Sequence, residues 1–510
     1  MTHGDILALL PLIVVGYAAA IILALGAFWR SNTGMALLTL VSLAAAFGAV
    51  FIALPYAPRT VTPLLRIDAF ALFYMGLFFL AGLALTIIAH DYLRERRGSE
   101  KFYAMLLLAT LGMGALAASN HFAAFFIALE TLSVSLYGLI GYTFERPASL
   151  EASLKYLVLA GVAAAFLLFG MALIYFEFGT MEFGALAAGI AQGRLSALLL
   201  MGVALMLVGF GFKLAAAPFH AWAPDVYQGA PAPITALIAT GSKAAMLALL
   251  LRFLYVLGLS SQGAVLLALT VLSILTMSVG NLLALLQLNI KRLLAYSSIA
   301  NMGYLLIPLA AGGVEGASSV GFYFVSYFAT TIGAFGVIAV LSGSDGELDE
   351  IEQYRGLGFR RRLLGAALGL MMLSLAGVPP TIGFMAKFYI FAAAAHSGLW
   401  LLLIVGLLNA GMAVYYYLRV LVALYAAPGA EQQPLPRARP ASVLALGALG
   451  AVVIFFGLYP TPLIELSHRA STTWLSGLTR TVGVNETTAA HAVPVGPPLA
   501  APSRVADGGD

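Results

Sequence analysis

The sequence contains no cysteine. That excludes thiolate-held iron–sulfur clusters, zinc thiolate sites and disulfides. Charge is scarce as well: 9% of the 510 residues are Asp, Glu, Lys or Arg, where an average soluble domain carries about 25%. No glycine-rich dinucleotide or P-loop fingerprint follows a strand pattern. If a redox reaction drives this chain, its redox centres must lie on other chains. No Lys or Arg precedes Arg30, and Asp5 stands near the start. A cleaved signal peptide opens with positive charge, so the first apolar run is expected to stay as a span.

What is present is hydrophobic surface, 62% of the residues, more than a soluble core can absorb. The expected fold class is an all-α polytopic membrane protein. A membrane helix needs about 20 apolar residues. About fourteen such runs are found: 5–27, 35–55, 69–89, 102–118, 121–143, 153–175, 195–223, 231–257, 263–288, 294–312, 317–342, 362–395, 398–426 and 441–461. A barrel is excluded because the runs do not alternate polar and apolar residues. The basic residues test this count. With the N-terminus outside, fourteen Lys and Arg fall in inner loops, Lys291 and Arg292 among them, and three in outer loops, Arg59, Arg66 and Arg194. A missed span would spoil that positive-inside bias, so an even number of spans is expected, with both termini on the periplasmic side of the cell inner membrane. The chain divides into N-terminal spans (1–118), a first repeat (102–257), a second repeat (263–426), a last span (441–461) and a polar tail (466–510) expected to be disordered.

Two runs are too long for one straight span. The run 195–223 has 29 residues, roughly 43 Å as a helix against a hydrocarbon core of about 30 Å. It contains Pro218. The run 362–395 is interrupted by Gly377, Pro379 and Pro380. Both predict discontinuous helices, tolerated at membrane depth only where protein or a water-filled cavity satisfies the freed backbone. They are the seventh and twelfth spans. An offset of five crossings makes any repeat inverted, an arrangement that points to a transport pathway. The bland reading of each alone is a proline kink near a helix end.

Each long run also carries a lysine, Lys213 and Lys387. Glu130 lies mid-span with no charge within ten positions. Lys243 is in the eighth span, Lys155 near the start of the sixth, and His220 near the first break. A charge at the bilayer centre costs at least about 2.5 kcal/mol on insertion scales, so lone intramembrane ionisable groups are functional candidates by default. Burial disfavours the charged form of both lysine and glutamate. A nearby carboxylate holds a lysine charged, and moving or neutralising that carboxylate drives the proton off. A Glu–Lys pair is thus a switch, and a row of lysines joined by water is a conduit. Ser242, Ser297, Ser298, Asn301, Tyr304, Tyr323 and Tyr327 are candidate bridges. The competing structural readings are specific. Lys155 snorkels or pairs with Glu151, one helical turn away. Arg252 and Arg419 snorkel or anchor helix ends. His220 hydrogen-bonds a broken helix, and Asp225 caps a turn.

These residues sit in segments that resemble a known family. The segment from Asn289 to Tyr304 (NIKRLLAYSSIANMGY) and the segment from Gly211 to Tyr227 (GFKLAAAPFHAWAPDVY) resemble the antiporter-like membrane subunits. Glu130 matches that family's fifth-helix glutamate. The segments from Ser374 to Tyr389 (SLAGVPPTIGFMAKFY) and from Ser149 to Tyr156 (SLEASLKY) resemble its subunit N (subunit 2) branch, found in bacterial NADH–quinone oxidoreductases (complex I). The resemblance covers roughly residues 65–425. It implies fourteen helices in inverted five-helix repeats, and a proton path through Glu130, Lys155, Lys213, His220, Lys243 and Lys387. It implies no cofactor on this chain. NADH, FMN, iron–sulfur clusters and quinone are expected in partner subunits, the partners being other membrane subunits and a peripheral arm. The alternatives are a subunit of a multi-subunit sodium/proton antiporter or membrane-bound hydrogenase, which share the first two segments, and a non-conducting scaffold.

Overall fold

The computed structural model describes residues 2–93, 100–193, 196–342, 346–427, 435–436 and 438–482. Its helices, in chain order, begin with α1 (His3–Phe28), α2 (Asn32–Ala53), α3 (Ala69–Tyr92), α4 (Glu100–Ala118), α5 (Phe122–Ile140), α6 (Pro147–Phe178) and α7 (Phe183–Ala191). They continue with α8 (Ala197–Leu214), α9 (Trp222–Gly229), α10 (Ala232–Leu237), α11 (Lys243–Val256), α12 (Gly263–Leu285), α13 (Ile290–Ala311) and α14 (Gly313–Leu341). The last are α15 (Leu357–Arg360), α16 (Arg362–Ala376), α17 (Ile382–His396), α18 (Trp400–Tyr425), α19 (Pro440–Leu458) and α20 (Thr461–Val482). A small hairpin of β1 (Arg59–Val61) and β2 (Leu65–Ile67) pairs antiparallel, Arg59 opposite Ile67, between α2 and α3.

Among the described residues, thirteen helical segments are long and apolar enough to cross a bilayer. The shorter apolar helices α16 and α17, 15 residues each, together occupy the twelfth run. The all-α polytopic expectation is met. Burial separates the helices sharply. The span through α10 and α11 is buried along its whole length, and α13 and α14 nearly so, whereas only 33% of α6, α12 and α18 is buried. The first set forms the interior and the second presents apolar side chains outward, as a lipid-facing shell requires. Small residues let the layers close up. A Cβ on Gly280 of α12 would lie 2.5 Å from the Ala300 backbone nitrogen of α13, and one on Gly303 would lie 2.6 Å from Met277. This is how membrane helices gain packing where no hydrophobic driving force separates them from lipid.

Three expectations change. The tail is not disordered throughout: residues 461–482 form α20, which packs on α3 and α14. Its Leu463, Ser467, Ala470, Ser471 and Trp474 are buried, on one face of the helix at i, i+4, i+7, i+8 and i+11. The polar composition of this stretch hid an amphipathic helix. Residues 483–510 of the expected tail lie outside the described residues. The sixth span is longer than its apolar run, beginning at Pro147, and α7 follows it where no element was expected. The run 195–223 stops being helical at Leu214, earlier than its hydropathy indicates.

Candidate functional site

The seventh span breaks because Ala215 takes a left-handed backbone (φ 55°) after α8, and the chain becomes helical again only at Trp222. The twelfth breaks at Gly377 (φ 84°), where glycine tolerates the left-handed turn that ends α16, and resumes at Ile382. Each expected break is present, and each has a buried lysine beside it.

Lys213 is in the last turn of α8, 5% exposed. Its Nζ donates to Ser133 Oγ on α5 at 2.8 Å and to Tyr156 Oη on α6 at 3.0 Å, and it stands 5.1 Å from the Tyr156 ring centre. Glu130 is one turn from Ser133 on α5. It lines a cavity together with Lys213, Ala160, Ala163 and Gly209, open to a water's centre over about 10 Å³, room for one molecule. Glu130 and Lys213 make no ion pair within 4.0 Å. They face each other across the cavity, while hydroxyls hold the ammonium.

Lys243 opens α11, directly after a single π-helical turn at Ile238–Ser242 that shifts the register of the eighth span. Such turns recur at functional sites. Lys243 is fully buried. Its Nζ donates to Ser298 Oγ of α13 at 2.7 Å. Ser298 is a hub: Tyr327 of α14 donates to it at 2.7 Å, and Tyr227 of α9 is 3.1 Å away. From Tyr327 a second cavity of similar size, also lined by Asn301, Tyr323 and Ser326, leads to Lys387 of α17. Lys387 Nζ donates to the carbonyls of Leu375 and Ala376, both at 3.0 Å, the last acceptors of α16. It also lies 5.6 Å from the Tyr304 ring centre. Beside this line, Tyr304 and Tyr416 bond Asn281, Asn281 donates to Asn409 at 3.0 Å, and Tyr417 bonds Ser297.

The structure therefore buries Lys213, Lys243 and Lys387 in the interior among hydroxyls and two water-sized cavities, with the half-buried Glu130 lining the first of them. Lys155 is elsewhere. It is 42% exposed and bridges Glu151 and Asp225, both at 2.8 Å. Asp225 does more than cap a turn, since it also takes Arg292 at 2.8 Å. Burial opposes ionisation of Asp225, yet the Lys155 and Arg292 hydrogen bonds hold its carboxyl below the ordinary range. His220 lies half-buried in the first break, its Nδ1 closed from solvent without a hydrogen-bond partner among the described residues. Arg419 anchors a helix end, donating to the Leu285 and Gln287 carbonyls after α12.

Two buried ion pairs were not legible in the sequence. Arg252, expected to snorkel, is fully buried and grips Asp68 with two hydrogen bonds of 2.8 Å, with Ala117 O at 3.1 Å. Lys291, expected in an inner loop, is fully buried against Glu347. Place along the chain does not reveal either pair, because the partner of Arg252 lies 184 residues away and that of Lys291 lies 56 residues away. Tyr227, Asn281 and Asn409 also escaped notice, although single Asn residues in apolar helices are a signal in themselves. Among the described residues no group of three His, Asp or Glu side chains gathers as a metal site requires.

Comparison with known proteins places this geometry. A family profile described as "NADH:quinone oxidoreductase/Mrp antiporter, TM" matches residues 119–413. The NADH-quinone oxidoreductase subunit N of Ectopseudomonas mendocina (strain ymp) is 43% identical over 481 residues, covering 92% of this chain and 97% of that one. A chain of respiratory complex I from Thermus thermophilus with bound aureothin superposes with a TM-score of 0.79 at 36% identity, over 90% of this chain and 99% of that one. A chain of the membrane-bound sulfane sulfur reductase, an archaeal respiratory membrane complex, superposes at 0.83 with 26% identity, over 94% and 100%. The match spans most of the sequence and includes every buried lysine described above, so the chain belongs to the NADH:quinone oxidoreductase/Mrp antiporter membrane-subunit family, in its subunit N branch.

Proposed function

We propose that this chain is a proton-translocating membrane subunit of an NADH–quinone oxidoreductase. The observation that carries the reading is the buried line Lys213, Lys243, Ser298, Tyr327, Lys387, flanked by Glu130 and two water-sized cavities. Electron transfer from NADH to quinone takes place in partner subunits, which hold the flavin and iron–sulfur clusters. This chain supplies proton movement. The identity to subunit N is higher than to the sulfane sulfur reductase chain and favours the quinone-reducing complex.

The residues suit the task. Glu130, across a one-water cavity, stabilises the charged form of Lys213 without locking it in a contact pair. A signal that moves Glu130 away or neutralises it frees the Lys213 proton. The Tyr156 hydroxyl, bonded to Lys213, neighbours the Ser242 hydroxyl beside Lys243. Ser298 and Tyr327 then lead toward Lys387. Hydroxyls both donate and accept, so each link can pass a proton. The matched breaks in spans seven and twelve fit two inverted five-helix repeats. The positive-inside pattern supports fourteen spans with both termini on the periplasmic side of the inner membrane. Lys155 and His220 are assigned supporting places at the edge of the path, the first through its pair with Asp225.

The test uses membranes holding the assembled complex with Lys213→Ala. NADH-driven quinone reduction and proton uptake, recorded together, are both expected to fall by about 10²-fold, the usual size for loss of a proton-transfer group. Unchanged values of both in normally assembled complex contradict the reading and favour a scaffold.

A further inference from the structure

We propose that the Lys291–Glu347 pair is the clamp that positions Lys243, closing the backbone gap between α9 and α10 from the inner end of α13. The inference rests on the reading of Lys243 as part of the proton path.

The gap arises at Pro231, which has no N–H and starts α10. It leaves the Ala230 carbonyl outside any helix and the Ala232 N–H among the unsatisfied donors of a helix start. The pair serves both. Lys291 Nζ donates to Ala230 O at 2.9 Å, and Glu347 Oε1 accepts from Ala232 N at 3.0 Å. The ammonium and carboxylate bond each other, and Tyr92 of α3 donates to Glu347 at 2.7 Å. Both charged side chains are wholly buried. Burial opposes ionisation of Glu347, and Lys291 overcomes it, holding the carboxyl below its ordinary value of 4.5.

What the clamp holds is the support of Lys243. Ala230 follows the end of α9, whose Tyr227 reaches Ser298. Ala232 begins α10, which runs through the π turn into Lys243. Lys291 lies seven residues before Ser298 on α13, two turns away on the same face. Three sides of the Lys243 contact therefore meet at one ion pair. The loop carrying Glu347 is zipped onto the start of α13, with Ile290 N bonded to Asp349 O and Ile351 N to Leu288 O. The loop also follows α14, which carries Tyr327. A displacement of this inner loop would reach Lys243 through backbone, without any contact to it.

The experiment measures proton translocation per assembled complex in five variants of the full chain. Lys291→Met alone leaves Glu347 buried and unpaired, and is expected to reduce assembly. Adding Glu347→Gln removes that charge while keeping an acceptor for the Ala232 N–H. This double variant is expected to recover assembly but to translocate about tenfold less than wild type, because the Ala230 carbonyl stays unclamped. Lys291→Arg, which keeps a donor for Ala230 and a charge for Glu347, is expected to retain most of the activity. If the double variant assembles and translocates like wild type, the pair is only a structural ion pair and the clamp is overturned. If the double variant does not assemble, Tyr92→Phe decides: a loss of about twofold or more in normally assembled complex supports the clamp, and wild-type translocation overturns it. Lys243→Ala, measured alongside, separates the two claims. Normal translocation in that variant removes the premise that Lys243 conducts, whatever Lys291 does.

Discussion

The two broken helices hold their lysines in different ways. In the first, Lys213 precedes the break and is held by side-chain hydroxyls from two other helices, with a carboxylate one cavity away. In the second, Lys387 follows the break and reaches back to two main-chain carbonyls at the end of α16. A helix C-terminus carries partial negative charge and favours a cation. Among the described residues, no carboxylate lines the Lys387 cavity. The first lysine therefore has a partner that a small movement can withdraw, whereas the second is held by backbone that moves only if the helix does. On the proposed reading, the same local device, a break with a buried lysine, serves as a switch in one half and a fixed receiver in the other.

The largest effects should come from removing either lysine. Lys213→Ala and Lys387→Ala are each expected to lower NADH-driven proton translocation by about 10²-fold in assembled complex. The comparison sharpens with arginine, which holds its proton. Lys387→Arg should keep the α16 carbonyls satisfied and assembly normal while translocation falls. If Lys387→Arg translocates at the wild-type rate, Lys387 only caps α16 and the receiver role is lost. Next in size is Arg252→Met. This pair is bidentate and fully buried, its partners Asp68 and Ala117 lie outside the line of lysines, and its loss leaves Asp68 only the longer Arg66 contact at 3.7 Å, which destabilises the fold. Less complex should assemble, with unchanged translocation per complex, as measured by membrane content against turnover.

Glu130→Gln tests the switch half alone. Translocation is expected to fall about tenfold, with electron transfer following it, because the carboxylate that shares the Lys213 cavity is gone. The smallest effect belongs to Lys155→Ala. Its pairs are exposed to solvent, where screening leaves an ion pair little net effect. A loss of twofold or less is expected, and a loss as large as that of Lys213→Ala would move Lys155 into the path. Acidity should act last at this inner cluster. Because Asp225 ionises below its ordinary value of 3.8, its contribution to stability is complete above that value and fades only as pH falls further. A cluster that opens near pH 5, seen as faster hydrogen exchange in α9, would contradict this.

Much of this comparison was open to reading in the sequence. The spans follow from apolar length, and both breaks from runs too long for the bilayer. Glu130, Lys213, Lys243 and Lys387 follow from the cost of charge in lipid, because a charge without a nearby partner along the chain needs one in space. What stayed hidden is partnership at a distance. Lys291 sits beside Arg292 and reads as an inner-loop charge, yet Glu347 lies past α14 in the chain and meets it only after folding. Arg252 finds Asp68 in the same way. The left-handed Ala215 ended α8 before its hydropathy did, since nothing in an Ala-Ala-Ala stretch signals that turn. In α20 the buried face is built partly from Ser467, Ala470 and Ser471, residues that weigh little on a hydropathy scale.

On the proposed function, protons cross through the buried lysines. Lys243 tests it most directly, because it joins the two halves and contacts neither Glu130 nor Lys387. Quinone reduction and proton uptake should be recorded together on membranes whose Lys243→Ala complex is assembled at wild-type level. Both are expected to fall by about 10²-fold. Full proton uptake in that variant would contradict the reading, and would route the protons around Ser298 altogether.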